Sequence, residues 1–321
     1  MRRAAALVAL PLLAAVAVAG CSSSPAKSSP SAASTNSVVT ATGSFGAAPK
    51  VTIPSEKAAP ALFTKTVIQG SGTKLTTAQT LEGNFVLYDW SGTTHKLLGS
   101  TYGSGGPTLF AGQMIPGLEA ALIGQKLGSR VLAVIPPKEA FGSSGNSSIG
   151  VKGTDTLVFV IDLDKSYSNT AGVPGAQTSN GGGALPTVTT PLGKAPVITI
   201  PASSPPKSLT VKTLIKGTGP VVKSSQELMV QYTGVIWRTK KVFDSSWSRK
   251  QPYTTEIGVG QVIKGWDTGL VGQTVGSRVL LVVPPADGYG SAGSSAAGIK
   301  GTDDLVFVVD IVGAVTPGAA S

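Results

Sequence analysis

Roughly half of this chain is a second copy of the other half: residues 113–163 align without a gap on residues 261–311, with about every second position identical. Gly128-Ser129-Arg130-Val131-Leu132 returns as Gly276-Ser277-Arg278-Val279-Leu280, and Lys152-Gly153-Thr154-Asp155 returns as Lys300-Gly301-Thr302-Asp303. The upstream parts correspond as well, with Val51-Thr52-Ile53-Pro54 answered by Ile198-Thr199-Ile200-Pro201. The period, about 148 residues, is far longer than a solenoid unit and fits a duplicated globular domain. Whatever one copy folds into, the other must fold into too. Domains are therefore expected at 48–166 and 195–314, with a Ser/Thr/Pro-rich linker carrying Gly181-Gly182-Gly183 over 167–194 and a frayed tail at 315–321.

Composition narrows the class. The 41 glycines and 22 prolines among 321 residues oppose long helices, which excludes a helical bundle or coiled coil. Apolar residues at 41% permit a packed core. The net charge of +10 includes Arg2 and Arg3 and is otherwise thinly spread, with no basic run of the kind that binds nucleic acid. A single cysteine, Cys21, excludes an intrachain disulfide and a cysteine-cluster metal site, and a single histidine, His95, excludes paired-histidine zinc chemistry.

Arg2-Arg3 followed by an apolar stretch over 4–19 reads as a secretory leader, 1–20. It ends in Val18-Ala19-Gly20-Cys21, which resembles the lipobox of bacterial lipoproteins. That resemblance implies lipidation of Cys21, a membrane tether, and an extracytoplasmic location on the outer face of the cell membrane. The segment 21–47 then reads as a flexible stalk, with Val38, Val39 and Phe45 as residues that dock on the first domain.

Within the second copy, residues 227–237, 277–283 and 304–312 are β-rich, and Pro284-Pro285 closes the second run. One short helix is expected at 263–271, where Ile263, Trp266 and Leu270 share a face. Strand upon strand with one helix predicts an α+β domain, an antiparallel sheet packed on that helix.

Covalent catalysis finds no constellation here, and the glycines 288, 290 and 293 precede no helix of the dinucleotide-binding kind. What the second copy does hold is a dense set of aromatics. Val230-Gln231-Tyr232-Thr233-Gly234, Val242-Phe243-Asp244-Ser245-Ser246, Val262-Ile263-Lys264-Gly265-Trp266-Asp267, Pro284-Pro285 with Gly288-Tyr289-Gly290, and Leu305-Val306-Phe307 closely resemble, in order and spacing, the motifs of FKBP-type peptidyl-prolyl cis/trans isomerases. The resemblance implies a half-barrel of antiparallel strands curled around a short helix, with an apolar pocket for a proline ring. It implies Trp266 as the pocket floor and Tyr232, Phe243, Tyr253, Val262, Ile263 and Phe307 as walls, with Tyr253 where the family usually has Phe. The Ile263 N–H and the Tyr289 hydroxyl would hold substrate carbonyls. Asp244, oriented by Tyr232 and Arg249, would face the twisting amide, and Ile299 would close one side. Neither cofactor nor metal is required. The substrates would be X-Pro segments of exported polypeptides, and a macrolide-type ligand would suit the same pocket.

In the first copy Leu118 replaces Trp266, Leu98 replaces Phe243, Gly99 replaces Asp244 and Phe141 replaces Tyr289. The stretch from Pro107 to Gln113 is also shorter than that from Pro252 to Gln261. Tyr88, Met114, Ile115 and Phe159 are expected to remain at pocket positions. A weak or inactive first domain beside an active second one follows, with a non-catalytic chaperone or scaffold that binds proline segments as the rival reading.

Overall fold

Two six-residue strands, Arg130–Ile135 and Arg278–Val283, are buried at every position, so each sheet must be covered on both faces. The period of two divides their side chains. Val279, Leu281 and Val283 join one apolar cluster, and Leu280 and Val282 join another on the opposite face. The same division separates Val131, Ala133 and Ile135 from Leu132 and Val134.

The computed structural model describes residues 35–103, 106–110, 114–170, 172–190 and 194–316. The leader and Cys21 lie outside the described residues. The first domain runs β1 (Thr40–Thr42), β2 (Lys50–Thr52), β3 (Phe63–Ile68), β4 (Gln79–Ser91), β5 (Thr94–Ser100), β6 (Thr108–Phe110), α1 (Pro116–Leu122), β7 (Arg130–Ile135) and β8 (Thr156–Ser168). The second runs β9 (Thr187–Thr189), β10 (Val197–Thr199), β11 (Thr210–Ile215), β12 (Glu227–Ile236), β13 (Lys241–Ser245), α2 (Ser246–Arg249), β14 (Tyr253–Glu256), α3 (Lys264–Leu270), β15 (Arg278–Val283) and β16 (Leu305–Val315).

The sheets have the same order, β3-β7-β8-β4-β5 and β11-β15-β16-β12-β13, with β6 and β14 pairing with β4 and β12. Every pairing is antiparallel, so the expected α+β arrangement of two equivalent sheet domains holds. The predicted helix is α3. Trp266 and Leu270 pack from it onto Val279, Leu281 and Val283, and Gly265 lets it approach so closely that a Cβ there would come within 2.6 Å of Val283. A second, one-turn helix, α2, was not expected, because four residues carry no readable period.

The outer face of each sheet is covered by a hairpin. Strands β1 and β2 pair in register Ala41↔Val51, and Val39, Ala41 and Ile53 pack on Leu132, Val134, Val158 and Val160. Val39 therefore docks as expected, but Val38 and Phe45 are exposed. Strands β9 and β10 do the same for the second domain through Val188 and Ile200. The stretch expected as a linker, 167–194, thus contributes β9 to the second domain and the end of β8 to the first.

A buried ion pair joins the corresponding strands of each sheet. Arg130 meets Asp162 at 2.7 Å, and Arg278 meets Asp310 at 2.6 Å. In the first domain the pair also secures the hairpin turn: Arg130 donates to the carbonyls of Gly43 and Ala47, and Gly46 N–H donates to Asp162. In the second, Arg278 donates to the Thr190 hydroxyl. Where the domains meet, Leu109 of β6 and Tyr167 of β8 pack with Met229 of β12 and Val312 and Val315 of β16.

Candidate active site

Between the concave face of the second sheet and α3 lies a cavity of about 590 Å³, a volume suited to a small apolar group with its flanking amides. Tyr232, Phe243, Asp244, Tyr253, Val262, Ile263, Trp266, Tyr289 and Phe307 line it, as do Gln261, Lys264 and Gly288. Trp266 sits at the centre of the aromatic set, with its ring edge-on to Tyr232 at 5.2 Å, Phe307 at 5.4 Å and Tyr253 at 6.3 Å. Phe243 and Phe307 meet edge-to-face at 5.6 Å. Such contacts hold rings in fixed orientations and keep the walls from collapsing inward.

The loop that carries Val262 and Ile263 is tied to the first turn of α3. Asp267 accepts from the N–H groups of Gly258 at 2.6 Å and Gly260 at 2.8 Å. Both glycines have φ near +80°, a conformation that side-chain-bearing residues resist. Ile263 then caps the helix, and among the described residues its N–H has no hydrogen-bond partner.

Polar groups converge on one wall. Asp244 accepts from the Tyr232 hydroxyl, from the Arg249 guanidinium and, at 2.8 Å, from the Ser245 N–H. Arg249 also donates to the Tyr232 oxygen at 3.0 Å. Burial, together with the bond to Asp244, pushes the Tyr232 phenol well above its ordinary range, so it remains a donor. Burial and then the charge of Asp244 raise the Tyr289 phenol too. That hydroxyl is partly exposed and has no partner among the described residues, which leaves its proton free for an incoming carbonyl.

Arg249 is not among the lining residues and holds Asp244 through its guanidinium, the orienting role expected of it. Ile299, expected to close one side, is 4% exposed in the core cluster it shares with Tyr232, Trp266 and Phe307 and is not among the lining residues.

The first domain shows why its copy differs. Leu98 and Gly99 do occupy the places of Phe243 and Asp244, since Leu87↔Gly99 matches Gly234↔Asp244. Tyr88, however, is not the counterpart of Tyr232. Phe85 pairs with Ile161 as Tyr232 pairs with Val309, while Tyr88 packs on the hairpin side of the sheet. A shift of one residue along a strand exchanges its faces. Asn84-Phe85 answering Gln231-Tyr232, an amide before an aromatic, is the signal that identifies the right pair. The same register puts Leu87 where the second domain has Gly234, and Leu87 is buried with Leu98, Leu118 and Phe159. The room that Gly234 gives to the Phe243 and Phe307 rings in one copy is taken by the Leu87 side chain in the other.

The sequence profile described as FKBP-type peptidyl-prolyl cis-trans isomerase matches residues 76–164 and 219–312. An FK506-binding protein of Streptomyces anulatus is 39% identical over 117 residues, covering 36% of this chain and 94% of that protein. An FK506-binding protein of Neisseria meningitidis serogroup A is 40% identical over 105 residues, 33% of this chain and 94% of that protein. Peptidyl-prolyl cis-trans isomerase FPR2 of Saccharomyces cerevisiae is 44% identical over 86 residues, 27% of this chain and 63% of that protein. Among solved structures, the crystal structure of AtFKBP13 aligns at 34% identity and a TM-score of 0.31, covering 34% of this chain and 94% of that one.

Proposed function

The chain belongs to the FKBP-type peptidyl-prolyl cis-trans isomerases, and from that premise we propose that its turnover resides in the pocket of the second domain, the first domain being a weak or inactive copy. One observation carries this reading. The three-way contact of Tyr232, Asp244 and Arg249 stands at the mouth of an aromatic pocket in the second domain, while Phe85 and Gly99 occupy the Tyr232 and Asp244 positions in the first.

Rotation about an X-Pro bond meets a barrier of about 18–20 kcal/mol because amide resonance is lost. The planar amide is strongly dipolar and well solvated, and the twisted one is less so. Transfer into an apolar cavity therefore favours the twisted form, which is catalysis by differential binding. The proline ring enters over Trp266, and the Ile263 N–H and Tyr289 hydroxyl hold flanking carbonyls. Asp244, held in place by Tyr232 and Arg249, faces the carbonyl carbon of the turning amide. A fall of about 5 kcal/mol in the barrier is worth between three and four decades of rate.

In the full chain, Asp244→Ala should lower kcat/KM for an X-Pro peptide about 10-fold or more, the worth of a charge-assisted contact, and Tyr289→Phe about 3- to 10-fold. Near-wild-type turnover in the Asp244→Ala chain would move the activity away from this site. A pocket competitor of the FK506 type should block what remains.

Exported polypeptides rich in X-Pro bonds are the proposed clients, met outside the cytoplasm by a chain tethered through lipidated Cys21. Support comes from the basic, apolar and small-residue sequence over 2–21. Among the described residues no helix is long and apolar enough to cross a membrane. Cys21→Ser should shift the chain from the membrane fraction to the soluble fraction, and unchanged fractionation would remove the lipid anchor from the reading.

A further inference from the structure

Behind Tyr232 a line of hydrogen bonds leads out of the second domain. Tyr232 N–H donates to Ser246 Oγ at 2.8 Å, the Ser246 hydroxyl donates to Gln231 Oε1 at 2.5 Å, and Gln231 Nε2 donates to the Asn169 carbonyl at 2.7 Å. Gln231 and Ser246 are fully buried, so each proton needs an acceptor inside the protein. The last acceptor belongs to the stretch that joins the two domains.

The first domain completes the same line with its own residues. Phe85 N–H donates to Thr101 Oγ1, Thr101 donates to Asn84 Oδ1, and Asn84 Nδ2 donates to Asp164 Oδ2 at 3.0 Å. Asp164 sits at the register shift of β8, and the corresponding shift of β16 holds Val312, which offers no side-chain acceptor. What the first domain supplies from its own sheet, the second takes from the interdomain stretch.

That stretch makes two further contacts. Val173 N–H donates to Asp310 Oδ2 at 3.2 Å. Gly172 lies so near the fold that a Cβ would come within 2.6 Å of Asp310 and 2.9 Å of the Trp247 ring. Trp247 stands on α2 between Asp244 and Arg249, and among the described residues its buried indole N–H has no hydrogen-bond partner.

We propose that Asn169, Gly172 and Val173 are a working part of the second domain's active site, and that Gln231 is a positioning residue through which Asn169 orients Tyr232, Asp244 and Arg249, with Gly172 and Val173 seating the stretch against Trp247 and Asp310. The inference rests on the reading that this pocket turns over X-Pro bonds. It makes the junction between domains a component of the catalyst rather than a tether, and a second domain begun at residue 195 would lack it.

The test uses the full chain with Gln231→Met, Gly172→Val and the double variant. Gly172→Val sets a side chain against Asp310 and Trp247 and so pushes the stretch away without changing any residue of the second domain itself. Each single variant should lower kcat about 3- to 10-fold with KM little changed, because the pocket walls stay intact. Each should also speed hydrogen exchange at the Tyr232 amide about 10-fold. The double variant should be no worse than either single one, as two cuts in one line are not additive. Grafting the first domain's solution, Gln231→Asn with Val312→Asp, should restore kcat in the Gly172→Val background. Unchanged exchange and turnover in Gly172→Val, losses that multiply in the double variant, or failure of the graft would each overturn the proposal. The exchange readout needs no turnover, so a wild-type chain without activity whose Tyr232 amide still loosens would overturn the functional reading and uphold the positioning line.

Discussion

Gly234→Leu in the full chain should lower X-Pro turnover about 100-fold, equivalent to about 3 kcal/mol of transition-state binding. Gly234 lies opposite Phe307 in the sheet, beneath the edge-to-face pair of Phe243 and Phe307. A Cβ there would come within 2.8 Å of the Phe243 ring and 3.0 Å of the Phe307 ring, so the walls must tilt into the pocket. Overpacking of this kind also costs about 1–3 kcal/mol of stability, which by itself confuses the outcome. The first domain supplies the control. It carries Leu87 at this position with the smaller Leu98 in place of Phe243, a pairing the fold accommodates. Gly234→Leu combined with Phe243→Leu should therefore regain thermal stability and still lack turnover. Activity in that folded double variant would show that the cavity is not where the proline ring turns.

Arg278→Met should destabilise the second domain by about 3–5 kcal/mol, enough to separate its urea transition from that of the first. Arg278 and Asp310 are 3% and 1% exposed, and the guanidinium donates to both carboxylate oxygens, at 2.6 and 2.7 Å. Removing the cation strands the carboxylate in the sheet, where among the described residues the Val173 N–H is the one donor left to it. It also frees Thr190, next to β9, from its anchor. Arg278→Met with Asp310→Leu should recover much of the loss, because no charge is then buried alone. Equal loss in the single and double variants would assign the effect to packing instead of to the stranded charge.

Much of this was legible in the residues, and the parts that were not fail for identifiable reasons. The duplication and the long buried strands such as Arg278–Val283 could be read because apolar runs closed by prolines leave few alternatives. The aromatic pocket could be read because Tyr232, Phe243, Trp266, Tyr289 and Phe307 keep their order and spacing. The hairpins could not, since β1, β2, β9 and β10 are three residues each and lie in stretches whose Ser, Thr, Pro and Gly content suggests a stalk or linker. Register defeated the placing of Tyr88, which stands three residues beyond Phe85, an odd offset that puts it on the opposite face of β4. Ile299 was misplaced because loop position says little about which way a side chain turns. Gly234 and Gln231 stood inside the quoted motifs unnoticed. A glycine acts by the space it leaves, and a buried amide by the acceptor it finds, and neither is visible until the partners are.

The sheet order has a consequence for synthesis. In each domain the last strand made, β8 or β16, is inserted between two earlier ones, β7 and β4 or β15 and β12. A nascent chain that has reached the end of β15 therefore holds two separate strand groups with an unfilled slot between them, and the covering hairpin has no complete face to lie on. Such long-range closure is slow and leaves apolar edges open while it waits. Ribosomal pausing or truncation just before β16 should be far more damaging than loss of an equal length from the hairpin end, since the missing piece is the keystone of the sheet and not its margin.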